Sequence, residues 1–190
     1  MFIVITGLDG SGTSTIGQKL HELDEGSILV RTPSIEYSGR DKIDQIVRNT
    51  SQVAHYFYYL SSVIYMSDYI KSNFDYKANN VYCVRYLIDT VVSHRVAGLN
   101  IKLDYNSLNI LKPDKTIFVS LDEATRQQRI TERGKSFLDK VLDDDEKRQS
   151  FLQQFKILLE EKDTIYFNND NLNVNENVFE LYKKIKFGGI

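Results

Sequence analysis

The chain has 190 residues, 42% of them hydrophobic, which is enough for one sizeable core and too few for two ordinary domains, so a single domain over residues 1–190 is expected. Its 24 basic side chains against 26 acidic ones leave a formal charge of −2, which excludes a general field for holding a nucleic acid; any cation that matters must be placed locally. No apolar stretch approaches the ~20 residues of a membrane span, residues 1–5 lack the marks of a signal peptide, and the lone Cys83 cannot form an internal disulfide or a zinc cluster, so a cytoplasmic protein with a buried, inert thiol is expected.

In chain order, Phe2-Ile3-Val4-Ile5 reads as a short strand, ended by a glycine-rich stretch and followed by the helical spacing of Ile16, Lys19, Leu20 and Leu23. A second strand, Ile28-Leu29-Val30, stops at Arg31-Thr32-Pro33, because proline biases the residue before it away from helix. A long helix is expected over residues 53–74, with Val53, Phe57, Leu60 and Ile64 on one stripe, and further strands over residues 80–84, 116–121 and 164–167. Residues 134–148 carry many charges around few apolar residues and read as a solvated, mobile segment. Residues 168–177 read as an asparagine-rich loop, and Val178, Leu181, Tyr182 and Ile185 as a final amphipathic helix. Strands alternating with helices predict an α/β fold: a three-layer arrangement with a five-stranded parallel sheet flanked by helices.

The glycine-rich stretch, Gly7-Leu8-Asp9-Gly10-Ser11-Gly12-Thr13-Ser14-Thr15, keeps the spacing of a Walker A phosphate loop with threonine at the lysine position. Glycines let the backbone wrap closely round phosphate oxygens, successive N–H groups point into the concavity, and the following helix presents its positive end. Gly7, Asp9, Gly10, Ser11, Gly12, Thr13, Ser14 and Thr15 are therefore the candidate phosphate-binding residues, with Ser14 placed to bring a hydroxyl to Mg2+. Thr13 removes a cation that would reach the β- and γ-phosphates while keeping a hydroxyl and the backbone donors. Arg31 and Arg85 each follow an apolar strand, at the carboxyl end where open α/β sheets bind ligands. His21, His55 and His94 show no metal-ligand spacing and are read as structural.

Residues 2–12 resemble the opening of the thymidylate kinase family, within the P-loop nucleoside monophosphate kinases. The resemblance continues with Arg31-Thr32-Pro33, where the family has Arg-Glu-Pro, and with Cys83-Val84-Arg85-Tyr86, where it has Asp-Arg-Tyr at a strand end. It extends through residues 119–125 with Arg126, Arg129 and Arg133-Gly134, which are similar to its fourth strand and the helix leading to its lid. It implies an ATP- and Mg2+-dependent phosphotransferase acting on a nucleoside monophosphate such as dTMP. Asp9 would lie near the acceptor's sugar and the metal, and Arg85 and Arg31 would contact acceptor phosphate. Tyr59, in a helix rich in tyrosine and phenylalanine, would line the acceptor pocket, and the same helix would form a homodimer contact. Residues 134–148 would be the lid, with Lys140 as its charge donor and Arg133 and Arg148 in reserve.

Four positions depart from the family pattern: Thr13 for lysine, Thr32 for glutamate, Val84 for aspartate, and Ile64 where an acceptor-binding arginine stands. They leave two alternatives beside a nucleoside monophosphate kinase: a degenerate, non-catalytic nucleotide-binding protein, and a kinase for a nucleoside or another small metabolite.

Overall fold

The computed structural model describes residues 1–39, 42–160, 163–170 and 173–187. Five parallel strands form its centre: β1 (Phe2–Gly7), β2 (Ile28–Arg31), β3 (Val81–Val84), β4 (Lys115–Ser120) and β5 (Thr164–Asn168), in the order β2-β3-β1-β4-β5. The α/β class and the strand count match the sequence reading, and the strands lie within a residue or two of where the apolar runs placed them.

All six residues of β1 are buried, as a central strand with both faces covered requires. The period-two alternation divides them. Ile3 and Ile5 face α1 (Thr13–Leu23) and the last helix, where Ile16, Leu20, Leu181 and Ile185 pack. Phe2 and Val4 face the long α2 (Gln52–Asn73), through Val63, Met66 and Ile70. On that second face α3 (Leu87–Val96) supplies Val92 to a further cluster with Leu8 and Phe118. Phe151, Phe155 and Leu159 of a later helix complete it. Helices on both faces give the three layers expected.

Beyond β4 come α4 (Glu123–Arg133), a short α5 (Phe137–Val141), α6 (Asp145–Leu159) and, after β5, α7 (Val174–Phe187). Residues 134–148, read from sequence as a solvated, mobile stretch, are thus largely helical, and local capping explains it. Ser136 Oγ accepts from the Asp139 amide at 3.1 Å while the Asp139 carboxylate accepts from the Ser136 amide at 2.8 Å, and Asp144 caps α6 through the Lys147 amide at 3.1 Å. Of the expected loop at 168–177, Asn168 belongs to β5 and α7 begins at Val174; Asn171 and Leu172 lie outside the described residues.

The strand order brings the carboxyl ends of β1, β3 and β4 side by side. The chain turns back across β1 there, which is where an open sheet of this class leaves a crevice.

Candidate active site

The loop between β1 and α1 crosses the mouth of that crevice. Gly12, the N-cap of α1, has φ +100°, and a Cβ on it would come within 2.6 Å of the Asn169 side-chain nitrogen. Gly10 has φ +85°, and its Cβ would come within 2.7 Å of Ile130. Only glycine meets both demands at either position. No side chain caps α1, so the amides of Thr13, Ser14 and Thr15 are left without a capping acceptor at the positive end of the helix.

Two side chains from outside the loop hold its shape. Asn169, at the end of β5 and 3% exposed, donates from Nδ2 to the Ser11 carbonyl at 2.8 Å, while its own amide donates to the Ser120 carbonyl at 2.9 Å. Arg126 of α4 is fully buried. Its Nη1 donates to the Asp9 carbonyl at 3.0 Å, and Glu123 receives its other edge in two bonds of 2.7 Å. That fork fixes the guanidinium plane. Despite the cost of partial burial, Arg126 and Gln127 hold the Glu123 carboxyl below its ordinary value.

Arg85 closes the other side. It is one of two non-glycine residues among those described with positive φ, at +68°, a conformation that swings its side chain off the end of β3 and back under the loop. Nη1 donates to the Gly7 carbonyl and, at 2.8 Å, to Asp89; Nη2 donates to Asp9 at 2.6 Å. Of five guanidinium N–H groups, three are engaged in these bonds, and Arg85 lines the crevice. Burial works against the charge, but the Asp89 and Asp9 carboxylates outweigh it and raise the Arg85 pKa above its ordinary value. Asp89 is itself 8% exposed and held by Thr6 Oγ1 at 2.7 Å and the Tyr86 amide at 3.0 Å.

From α4, Arg129 reaches the Gly10 carbonyl at 3.5 Å, and Arg133 lies 3.9 Å from Asp9 and 2.9 Å from the buried Asp139. Together these elements enclose a cleft of about 1330 Å³ that runs from the loop to the walls formed by α2 and α3. Among the described residues seven basic ones line it, Arg31, Arg48, Arg85, Arg129, Arg133, Lys135 and Lys147, against three acidic ones, Asp9, Asp44 and Asp89. A chain of net charge −2 has concentrated its cations here.

The sequence matches the family described as Thymidylate kinase over residues 5–181. The chain belongs to that family. No curated protein sequence matches it. Among solved structures it is similar to a thymidylate kinase from Candida albicans, at 17% identity and TM-score 0.71, covering 97% of this chain and 92% of that one. A deoxyadenosine kinase from M. mycoides, solved with the products dCMP and a flexible dCDP, is similar at 19% identity and TM-score 0.69, covering 97% and 98%. A thymidylate kinase from Ehrlichia chaffeensis is similar at 16% identity and TM-score 0.64, covering 97% of each chain. The fold is therefore the one shared by thymidylate and deoxynucleoside kinases, and family and fold together support a nucleotide kinase. Among the described residues no helix is long and apolar enough to cross a membrane.

The departures from the thymidylate kinase pattern now have places. Thr13 is 5% exposed at the first position of α1. Thr32 is buried and donates its amide to the Val84 carbonyl at 3.0 Å, and Val84, 6% exposed, packs against Gly17. Of the predicted site residues, Asp9, Gly10, Gly12, Thr13, Ser14, Thr15, Arg31, Tyr59 and Arg85 all line the cleft. Gly7 ends β1 and touches Arg85 through its carbonyl, and Ser11 is buried beneath the loop. Arg31 is exposed, and among the described residues it forms no ion pair. Tyr59 donates its hydroxyl to Asp44 at 2.9 Å. Lys140 is not among the lining residues: the capping box turns Asp139 inward, which leaves its neighbour exposed on another face of α5, and Arg133 lies on the cleft in its stead. Arg148 donates to the Leu142 carbonyl at 3.0 Å and steadies the start of α6. Cys83 is fully buried, and burial raises its thiol pKa well above the ordinary value, as expected of an inert thiol.

Sequence reasoning missed Asn169, Asp89, and the partnership of His55 with His94. The one available signal was Asp89, three residues after Tyr86, an N-terminal capping pattern.

Proposed function

We propose that the protein transfers the γ-phosphoryl group of ATP to a nucleoside monophosphate. The observation that carries this reading is the cleft's charge: helix-end amides lie at one end, and among the described residues seven cationic side chains line it against three carboxylates. The same geometry favours a phosphate over a hydroxyl as acceptor. A hydroxyl needs a base, and two of the three lining carboxylates, Asp9 and Asp89, are each bound to Arg85, while Asp44 is bound to His55. A phosphate acceptor brings an oxygen that is already anionic and asks mainly for position and positive charge.

In this reading the loop amides and Ser14 hold the triphosphate, Asn169 and Arg126 keep the loop in shape, and Arg129 and Arg133 supply the charge that lysine at position 13 would have supplied. Arg85 and Arg31 hold the acceptor phosphate, and Tyr59 lines the wall against its base. The Ser14 hydroxyl at the helix start fits Mg2+, which binds through one or two protein oxygens and the nucleotide's own phosphates; Ser14 would hold it, and it would neutralise charge on the transferring group. A homodimer contact on α2, where Val53, Phe57 and Tyr69 are exposed, and a cytoplasmic location go with this reading. Incubation with labelled ATP and a panel of nucleoside monophosphates and nucleosides tests it. Labelled diphosphate from at least one monophosphate is the expected result. Tight ATP binding without transfer to any acceptor would favour the non-catalytic alternative motivated by Thr13, Thr32 and Val84.

A further inference from the structure

Asp44 lies in a helical turn, Ile43–Val47, that runs into Arg48–Thr50; His55 lies on α2 and His94 on α3. The fold joins them in one chain of hydrogen bonds. His94 Nδ1 lies 2.7 Å from the Thr90 carbonyl, His94 Nε2 lies 2.8 Å from His55 Nδ1, and His55 Nε2 lies 2.7 Å from Asp44 Oδ1. Proton positions follow from what each end allows. A carbonyl only accepts, so His94 Nδ1 carries a proton. A second proton on His94 Nε2 would put the positive charge on the buried His94, one ring away from the Asp44 carboxylate; with that nitrogen accepting and His55 Nδ1 donating, the charge lies on His55 against the carboxylate. His55 Nε2 then meets a carboxylate oxygen, and a further proton must lie between them. The chain reads carboxylate, doubly protonated His55, neutral His94, carbonyl. Burial supports its middle, pushing the His94 pKa down to about 4.

The groups facing this chain are Arg48, 3.6 Å from Asp44, and, from α2, Tyr56 and Tyr59, whose rings lie 5.0 and 5.7 Å from that of His94. Tyr105 joins through its hydroxyl, 2.6 Å from that of Tyr56. The Tyr59 hydroxyl also donates to Asp44, and the Arg48 guanidinium stacks 3.7 Å over Phe137 of α5, on the opposite wall of the cleft. No residue of Ile43–Val47 or Arg48–Thr50 is fully buried, and with Ile43 and Val47 only half-buried, apolar packing holds this segment in part. The polar bonds of Asp44 to His55 and Tyr59 add the rest.

We propose that Asp44, His55 and His94 are positioning residues for the phosphate acceptor: their protonated chain ties residues 43–50 to α2 and α3, and thereby sets Tyr59 and Arg48 at the cleft. This rests on the kinase reading above.

Two measurements on the whole protein test it. Nitrogen-15 NMR of histidine-labelled protein at neutral pH needs neither turnover nor a variant. His55 is expected protonated at both nitrogens and His94 at Nδ1 alone, with the second His55 proton lost in Asp44→Asn. A singly protonated His55 in the wild type overturns the proposal. Calorimetry then measures binding of the four 2′-deoxynucleoside monophosphates and of ATP. Asp44→Asn and His94→Leu are expected to weaken the tightest monophosphate about tenfold, ~1.4 kcal/mol, with ATP affinity within about twofold of wild type. His94→Gln, whose amide both donates and accepts, is expected to restore most of the loss. Equal weakening of ATP and monophosphate, or no weakening of either, overturns the acceptor role. If the wild type binds none of the four, the acceptor role fails, whatever the NMR shows, while the kinase reading is decided by the labelled-ATP assay.

Discussion

Arg85→Lys keeps the charge at the end of β3 and removes the fork. The guanidinium serves three acceptors at once, the Gly7 carbonyl, Asp89 and Asp9, and has two N–H groups beyond these for a ligand in the cleft it lines. An ammonium on a flexible stem has three donors in all, and it cannot reach acceptors on both sides of the loop while also meeting a ligand. Asp89, 8% exposed, keeps its bonds from Thr6 and the Tyr86 amide, so the folded protein loses only part of the ion-pair energy. With the Arg85 and Asp9 side chains 21% and 31% exposed, water offsets some of that loss, and about 1–2 kcal/mol of stability is the expected cost. For the acceptor, the loss of two charge-assisted bonds amounts to about 2–4 kcal/mol, or roughly 30- to 1000-fold in kcat/KM. Thermal unfolding and steady-state kinetics with each substrate varied in turn separate the two effects. The reasoning is refuted if the variant folds and its acceptor kcat/KM stays within about threefold of wild type.

Thr13→Lys is expected to raise the rate of phosphoryl transfer, since it restores a cation at the first position of α1; a variant that binds ATP normally and turns over no faster shows that the arginines already meet the demand. Asn169→Ala removes the bond to the Ser11 carbonyl from a residue 3% exposed and is expected to weaken ATP binding by about 1–2 kcal/mol, read by calorimetry; unchanged affinity contradicts its role in shaping the loop. His94 makes stability depend on pH. Its folded pKa of about 4 lies below its ordinary 6.5, so its contribution is full above pH 6.5 and is lost as the pH falls toward 4, about 3 kcal/mol in total. Urea unfolding across that window is expected to show the decline in the wild type and a flatter slope in His94→Gln; equal slopes argue against it.

The layers, the strand count and the glycine turn between β1 and α1 were legible because their signals are local. An apolar run, a glycine turn and a helical stripe each act within a few residues, and a parallel sheet buried on both faces leaves little choice of arrangement. Residues 134–148 are mostly exposed, as their charge implies, but their helical turns were hidden because charge dominates their composition, while two caps, at Ser136 and Asp144, decide their conformation. The rest of the site depends on distance in space. Asn169 meets Ser11 across 158 positions, Arg126 meets Asp9 across 117, and His55 meets His94 across 39, separations at which no spacing rule operates. The family pattern assigned Val84 and Thr32 as losses, and the carboxylate that binds Arg85 from below, Asp89, stands a turn further on in a position that pattern does not mark.

Transfer of label from ATP to the monophosphate panel bears most directly on the central claim, that this cleft moves a phosphoryl group to a phosphate acceptor. Labelled diphosphate from at least one nucleoside monophosphate, with nucleosides left unlabelled, is the predicted result. Label on nucleosides alone, or on no acceptor at all, would contradict it.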